Sequence, residues 1–218
     1  MPKKKNITKE DLISFYMDYV LEFNEQPKTV YAFAKQNNFE EQKFYEFFGT
    51  FQALEAVVFK TFFDNTLAVL NSSTDYQSFD SRNKLLSFYF TFFENLTANR
   101  SYVMFALQNH KNVLKNLQSL KQLRQEFINF IDSLEIEVLE TNQEQLDKIQ
   151  KQGLKEGAWV QLLLTLKFWM EDESPGFEKT DVFIEKSVNA SFDVLDITPL
   201  KSLIDFGKFL FKEKVQMQ

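Results

Sequence analysis

Phe44-Tyr45-Glu46-Phe47-Phe48-Gly49-Thr50-Phe51-Gln52-Ala53-Leu54 is the stretch on which the fold turns. Gly49 closes one short helix, and Thr50 supplies the side-chain oxygen that caps the next, a longer one running to about Leu70. Working back toward the N-terminus, the short helix starts near Glu40. It is preceded by a turn at Asn37-Asn38, where asparagine tolerates the left-handed backbone a tight turn needs. Thr29 caps another short helix, with Val30, Phe33 and Ala34 on its inner face. Before Asn24-Glu25-Gln26-Pro27 lies an amphipathic helix, marked by Leu12, Phe15, Tyr16, Tyr19, Val20 and Phe23 at three- and four-residue spacing. Thr8 caps it, and Asp11 three residues on completes a capping box.

Beyond Leu70, Asn71 to Ser81 is rich in Ser, Asn and Asp and reads as a loop. Helical patterns follow at about 82–98, 100–110, 112–140, 142–152, 158–172, 178–196 and 199–214. The expected breaks are Asn99, Gly153 with Gly157, Ser174-Pro175-Gly176 and Pro199, which sits one residue after a Thr198 cap. Five Gly and four Pro in 218 residues leave few turns, which favours long helices over a many-stranded sheet. The expectation is therefore an all-α chain. With no Cys, disulfides and thiolate metal sites are excluded. Met1-Pro2-Lys3-Lys4-Lys5-Asn6 has no apolar run behind it, so no secretory signal is read, and no stretch is long and apolar enough to span a bilayer. A cytoplasmic protein is the expectation. Its net charge of −6 argues against loose binding of nucleic acid over the whole surface, though not against a local contact.

The segment Leu12 to Leu54 resembles the DNA-binding unit of the TetR family of transcriptional regulators. Phe44, Tyr45, Phe48 and Leu54 match the family's Phe-Tyr-x-His-Phe-x-Ser-Lys-Glu-x-Leu, with Thr50 in place of its Ser. Thr29-Val30-x-x-Phe33-Ala34 resembles the family's Thr-Val-x-x-Ile-Ala. The resemblance implies a TetR-like fold: a three-helix DNA-binding-type unit at 1–55, with a basic tail at 1–6, and a larger helical ligand and dimerisation domain at 56–198. Residues 199–218 would form a C-terminal amphipathic helix. It further implies that Thr29 and Tyr45 contact phosphate, that Gln42 and Lys43 face the major groove, and that Phe39, Phe44 and Phe48 are core. Gln pairs with adenine edges and Lys with guanine edges.

Departures from the family pattern bear on that expectation. Phe51 stands where the family has a phosphate-gripping Lys, and Phe47 where it has His. From Asn6 to Lys60, five basic residues against nine acidic ones leave −4, a handicap for an interaction that is largely electrostatic. Glu40 and Glu41 either weaken DNA contact or simply suit the positive end of a helix dipole. Lys3, Lys4 and Lys5 are either an arm that reaches a DNA groove or a solvated tail.

Two readings also stand for the aromatic residues of the larger domain. Phe88, Phe92, Met104, Phe105, Phe127, Trp159 and Phe168 are candidates to line a pocket for a hydrophobic small molecule or lipid, as family members enclose one. The plainer reading is a packed core. The single histidine, His110, has no acid three residues before it, so neither a metal site nor a nucleophilic triad is expected. There is no phosphate-binding glycine loop, and carboxylates fall on polar helix faces, so no enzyme activity and no cofactor are expected. In the last helix Lys201, Asp205, Lys208 and Lys212 form one polar stripe. Leu203, Phe206, Phe209 and Leu210 belong to the wide apolar remainder, which docks on protein or sits among lipid headgroups.

The expectation is thus a homodimeric, ligand-responsive transcriptional regulator. By resemblance, two late helices from each chain, at about 158–172 and 178–196, pair into the dimer's four-helix bundle. The alternative is a lipid-binding, membrane-associated accessory protein on the same fold. Such proteins of coenzyme Q biosynthesis resemble TetR regulators, lack working DNA contacts and carry a C-terminal amphipathic helix.

Overall fold

The computed structural model describes residues 7–108, 118–136 and 144–195. Among them the chain is helical with no strand. The described residues divide into two compact units, one within Met1–Ser73 and Thr91–Phe127, the other within Thr74–Phe90 and Ile128–Gln218.

The first unit opens with α1 (Lys9–Phe23), α2 (Val30–Gln36), α3 (Glu41–Phe47) and α4 (Phe51–Ser72). The threonine caps and asparagine turns fall where the sequence places them, whereas α3 ends on an extended Phe48 cap one residue before Gly49. The Asp11 N–H donates to Thr8 Oγ1 (3.1 Å) and the Thr8 N–H to the Asp11 carboxylate (3.0 Å), so the capping box forms. The Ala32 N–H donates to Thr29 (3.1 Å) and the Ala53 N–H to Thr50 (3.1 Å). Asn24 and Asn38 take the left-handed backbone, at φ 52° and 56°.

Phe33 is the hub of this unit. It is fully buried, and the rings of Tyr16, Phe39, Phe44 and Phe51 meet it edge-on at 5.5–6.4 Å. Such pairs add about 0.5–1.5 kcal/mol each beyond area burial. Phe44 and Phe48 are core as expected, while Phe39 is half-buried and stacks on Phe15. Behind α1 packs α7 (Arg100–Gln108), whose Tyr102 ring meets Tyr16 edge-on at 6.5 Å.

Two helices contribute residues to both units: α6 (Ser81–Ala98) and α8 (Lys121–Ser133). The loop expected over Asn71–Ser81 holds a short helix instead, α5 (Thr74–Ser78). The helix expected over 112–140 ends, where described, at Ser133, because Glu135 turns left-handed at φ 48°.

The second unit continues with α9 (Glu144–Glu171), a 3-10 turn at Pro175–Phe177 and α10 (Glu178–Leu195), which packs on α9. The expected break at Gly153 and Gly157 does not occur: α9 runs through both. Each internal glycine costs a helix about 1 kcal/mol relative to alanine. That cost is offset by burial of Ala158, Trp159, Leu162, Leu166 and Trp169 along the same helix, and by a Lys155–Asp132 ion pair of 2.7 Å. The break at Ser174-Pro175-Gly176 does occur, with Gly176 at φ 64°.

Candidate functional site

On the surface of α2 and α3, Thr29, Gln42 and Tyr45 are exposed, Tyr45 at 54 %. The Thr29 hydroxyl is already an acceptor, holding the first turn of α2. Lys43 is the other residue expected to face the groove. It is half-buried, and its ammonium is tied to Glu46 one turn on, at 2.7 Å. Phe51 turns inward to stack on Tyr16 (5.5 Å, 20° between planes) and to meet Phe44 at 5.0 Å. The residue that replaces the family's basic side chain is therefore part of the aromatic core. Lys3, Lys4 and Lys5 lie outside the described residues.

The first unit also holds a buried polar cluster that the sequence does not announce. Glu55 is 1 % exposed, and its Oε1 accepts from the Tyr16 hydroxyl (2.6 Å) and from Gln26 Nε2 (2.7 Å). A buried carboxylate needs such donors, since an unpaired one costs several kcal/mol. Burial, and then the charge of Glu55, push the Tyr16 phenol far above its ordinary value near 10. Tyr102 is pushed up by the same two causes, and its buried hydroxyl has no hydrogen-bond partner among the described residues. The signal in the sequence was a single acid inside the apolar run Ala53 to Phe59.

In the second unit, a cavity of about 600 Å³ opens between α6, α8, α9 and α10. Leu85 and Ile131 line one side. Gly153, Gly157 and Ala158 form a stretch of α9 without bulk, and a Cβ built on either glycine meets nothing within 4 Å. Gln161 and Ser191 supply polar groups. The Ser191 hydroxyl donates to Gln161 Oε1 (3.0 Å), and Gln161 Nε2 donates to the Ser187 hydroxyl (3.3 Å). Volume and lining suit a small-molecule site. The glycines that form its wall are those read from the sequence as a break. Their spacing of four, which puts both on one face of a helix, was the available signal.

The aromatic residues proposed as pocket lining are elsewhere. Phe92, Met104, Phe105 and Phe127 belong to the first unit, and Phe88, Trp159 and Phe168 to the second. Phe88, Phe92, Phe127 and Trp159 are buried, and Phe88 packs on Phe130 at 4.8 Å between centroids. Met104 and Phe105 are half-buried. Phe168 stacks on Phe183 at 4.6 Å, and both line a second, open groove on α9 and α10. None of the seven lines the 600 Å³ cavity.

The corner between α9 and α10 is held by Asp172. Its Oδ1 accepts from the Ser174 N–H (2.8 Å) and hydroxyl (2.6 Å), and its Oδ2 from the Thr180 N–H (2.9 Å) and hydroxyl (2.7 Å). Burial disfavours the charge, but these donors prevail and hold the carboxyl well below the usual carboxylate range. His110 and the helix expected after Pro199, with Leu203, Phe206, Phe209 and Leu210, lie outside the described residues. Among the described residues there is no group of side chains fit to hold a metal ion and no helix long and apolar enough to cross a membrane.

Residues 84–210 match the family model described as "Tetracyclin repressor-like, C-terminal domain". That is more than half of the chain, and the protein belongs to the tetracyclin repressor-like (TetR) family. No curated protein matches it.

Proposed function

We propose that this protein is a homodimeric transcriptional regulator that binds DNA through α1–α3 and a hydrophobic effector in its C-terminal helices. The observation that carries this reading is the pairing of two independent features. A family match covers the C-terminal part, and ahead of it lies a capped three-helix unit in which Thr29, Gln42 and Tyr45 are exposed. A helix-turn-helix places its second helix in the major groove while flanking side chains hold phosphate. Thr29 and Tyr45 would take phosphates and Gln42 a base edge. Lys43 would have to exchange Glu46 for DNA. Effector binding would favour a spacing of the two reading heads that no longer fits adjacent grooves. Dimerisation is supported by exposed apolar side chains on α9 and α10, where Val160, Leu164 and Val182 are each about half exposed (52 %, 55 % and 47 %). Selection from a randomised DNA pool tests the reading. A palindrome should be recovered, and Tyr45→Ala and Lys43→Ala should abolish its retention. No enrichment across a range of salt would refute DNA-directed regulation.

A second reading is favoured by the inward Phe51 and the Lys43–Glu46 pair, which leave the recognition surface poor in free positive charge. In it the helix-turn-helix is scaffold, and the protein is a lipid-binding accessory factor that meets membranes through the segment after Pro199. Liposome flotation of the full chain and of a chain ending at Ile197 separates the two. Equal behaviour would sink the membrane version.

A further inference from the structure

We infer that the cavity between α6, α8, α9 and α10 takes an uncharged amphiphile: an aliphatic tail carrying one small head, an alcohol or a primary amide, that both donates and accepts a hydrogen bond. This rests on the reading that the C-terminal helices hold an effector, and it names the chemistry that effector must have.

The absence of charge follows from the lining. Among the described residues no ionisable side chain lines the cavity, so its polar groups are the amides and hydroxyl of Gln150, Gln161 and Ser191. An ionised head placed there would lose hydration with no counter-charge to replace it. Two cations near the cavity are engaged in ion pairs of their own. Arg82 pairs with Asp193 at 2.9 Å and lies over the Phe192 ring, and Lys155 pairs with Asp132 at 2.7 Å.

The form of the head follows from the hydrogen-bond inventory of Gln161. A primary amide has two N–H donors and two acceptor lone pairs. Ser187 takes one N–H, and Ser191 takes one lone pair. The same Ser191 proton is within reach of the Ser187 carbonyl at 2.9 Å and is shared between the two oxygens, so Ser191 engages no more than one lone pair of Gln161. One donor and one acceptor therefore remain on a single planar group at the cavity wall. A partner that presents an acceptor and a donor side by side satisfies both, which a hydroxyl or amide does and a hydrocarbon, ether or quaternary amine does not. The tail follows from the rest of the lining. Leu85, Ile131, Leu154 and Val194 are aliphatic, and the missing side chains at Gly153 and Gly157 keep the volume open along two turns of α9.

The test is calorimetric titration of the full-length protein with decanol, decanamide, decanoate and decylamine at neutral pH. Decanol and decanamide should bind, and decanoate and decylamine at least about ten-fold more weakly, a factor that corresponds to about 1.4 kcal/mol. Gly157→Leu, which fills the cavity from its wall, should abolish binding of the neutral pair. Gly153→Leu gives a second chance if the first variant loses its helical circular dichroism. Gln161→Leu should cost decanamide about ten-fold while keeping the cavity apolar. Equal affinity for charged and neutral probes, or undiminished binding by a folded Gly157→Leu or Gly153→Leu variant, would overturn the inference. DNA selection on the same preparation is scored separately. A protein that binds decanamide but no operator keeps this site and loses the regulator, and one that selects an operator but ignores all four probes does the reverse.

Discussion

Glu55 is the residue whose surroundings say most about the first unit. Its carboxylate is taken out of water and joined to Tyr16 of α1 and to Gln26 in the segment between α1 and α2. Removing the Tyr16 hydroxyl takes away one charge-assisted bond, so Tyr16→Phe should lower stability by about 1–3 kcal/mol in urea unfolding. The same environment predicts an alkaline limit. Tyr16, Tyr89 and Tyr102 are all raised, so an unfolded chain loses these protons near pH 10 while the folded one keeps them. The stability they contribute is present below about pH 10 and lost as pH climbs beyond it. Urea midpoints should fall between about pH 9 and 11 in the wild type, and less steeply in Tyr102→Phe. Asp172 has the opposite sign. Its folded carboxyl is lowered, so its contribution is present above the ordinary carboxylate range near 3.8 and lost as pH drops below it. Asp172→Asn should flatten the acid side of the melting-temperature profile.

The threonine-capped helices obey their capping signals, and α9 departs from expectation because of packing. Thr29→Ala should cost about 1 kcal/mol, because the Ala32 N–H then has no side-chain acceptor. Thr8, Thr29, Thr50, Asn24 and Asn38 were all legible because capping and left-handed turns are decided within a few residues. Gly153 and Gly157 misled because a local propensity of about 1 kcal/mol each was outweighed by burial along α9. That account predicts that Gly153→Ala raises stability by about 0.5–1 kcal/mol, read as an upward shift in thermal midpoint, since its new Cβ meets no neighbour. The end of α8 near Ser133 carries no comparable signal: a Glu at positive φ is rare, and nothing in its neighbours announces it.

For the whole molecule the dimer is the property to test first. If the apolar surface of α9 and α10 joins two chains, Leu164→Asp should shift sedimentation from dimer to monomer while leaving helical content intact. Loss of sequence-selective DNA binding in the same variant would follow, since two half-sites need two reading heads. An unchanged sedimentation coefficient would place the contact elsewhere.

By itself the sequence determined that this chain is helical, where its N-terminal helices begin and end, and which family it joins. Those properties rest on periodicity, caps and a short motif, all set by neighbours within one or two turns. Tertiary structure alone decided that Phe51 faces the core, that Lys43 is held by Glu46, and that Glu55 is sealed against Tyr16 and Gln26. It also decided that the cavity lies against Gly153, Gly157 and Gln161 while most of the proposed aromatic lining is buried elsewhere. The physical reason is that aromatic side chains fill space and glycines leave it open. Which of the two a position does depends on residues distant in sequence, and spacing along one helix carries no record of them.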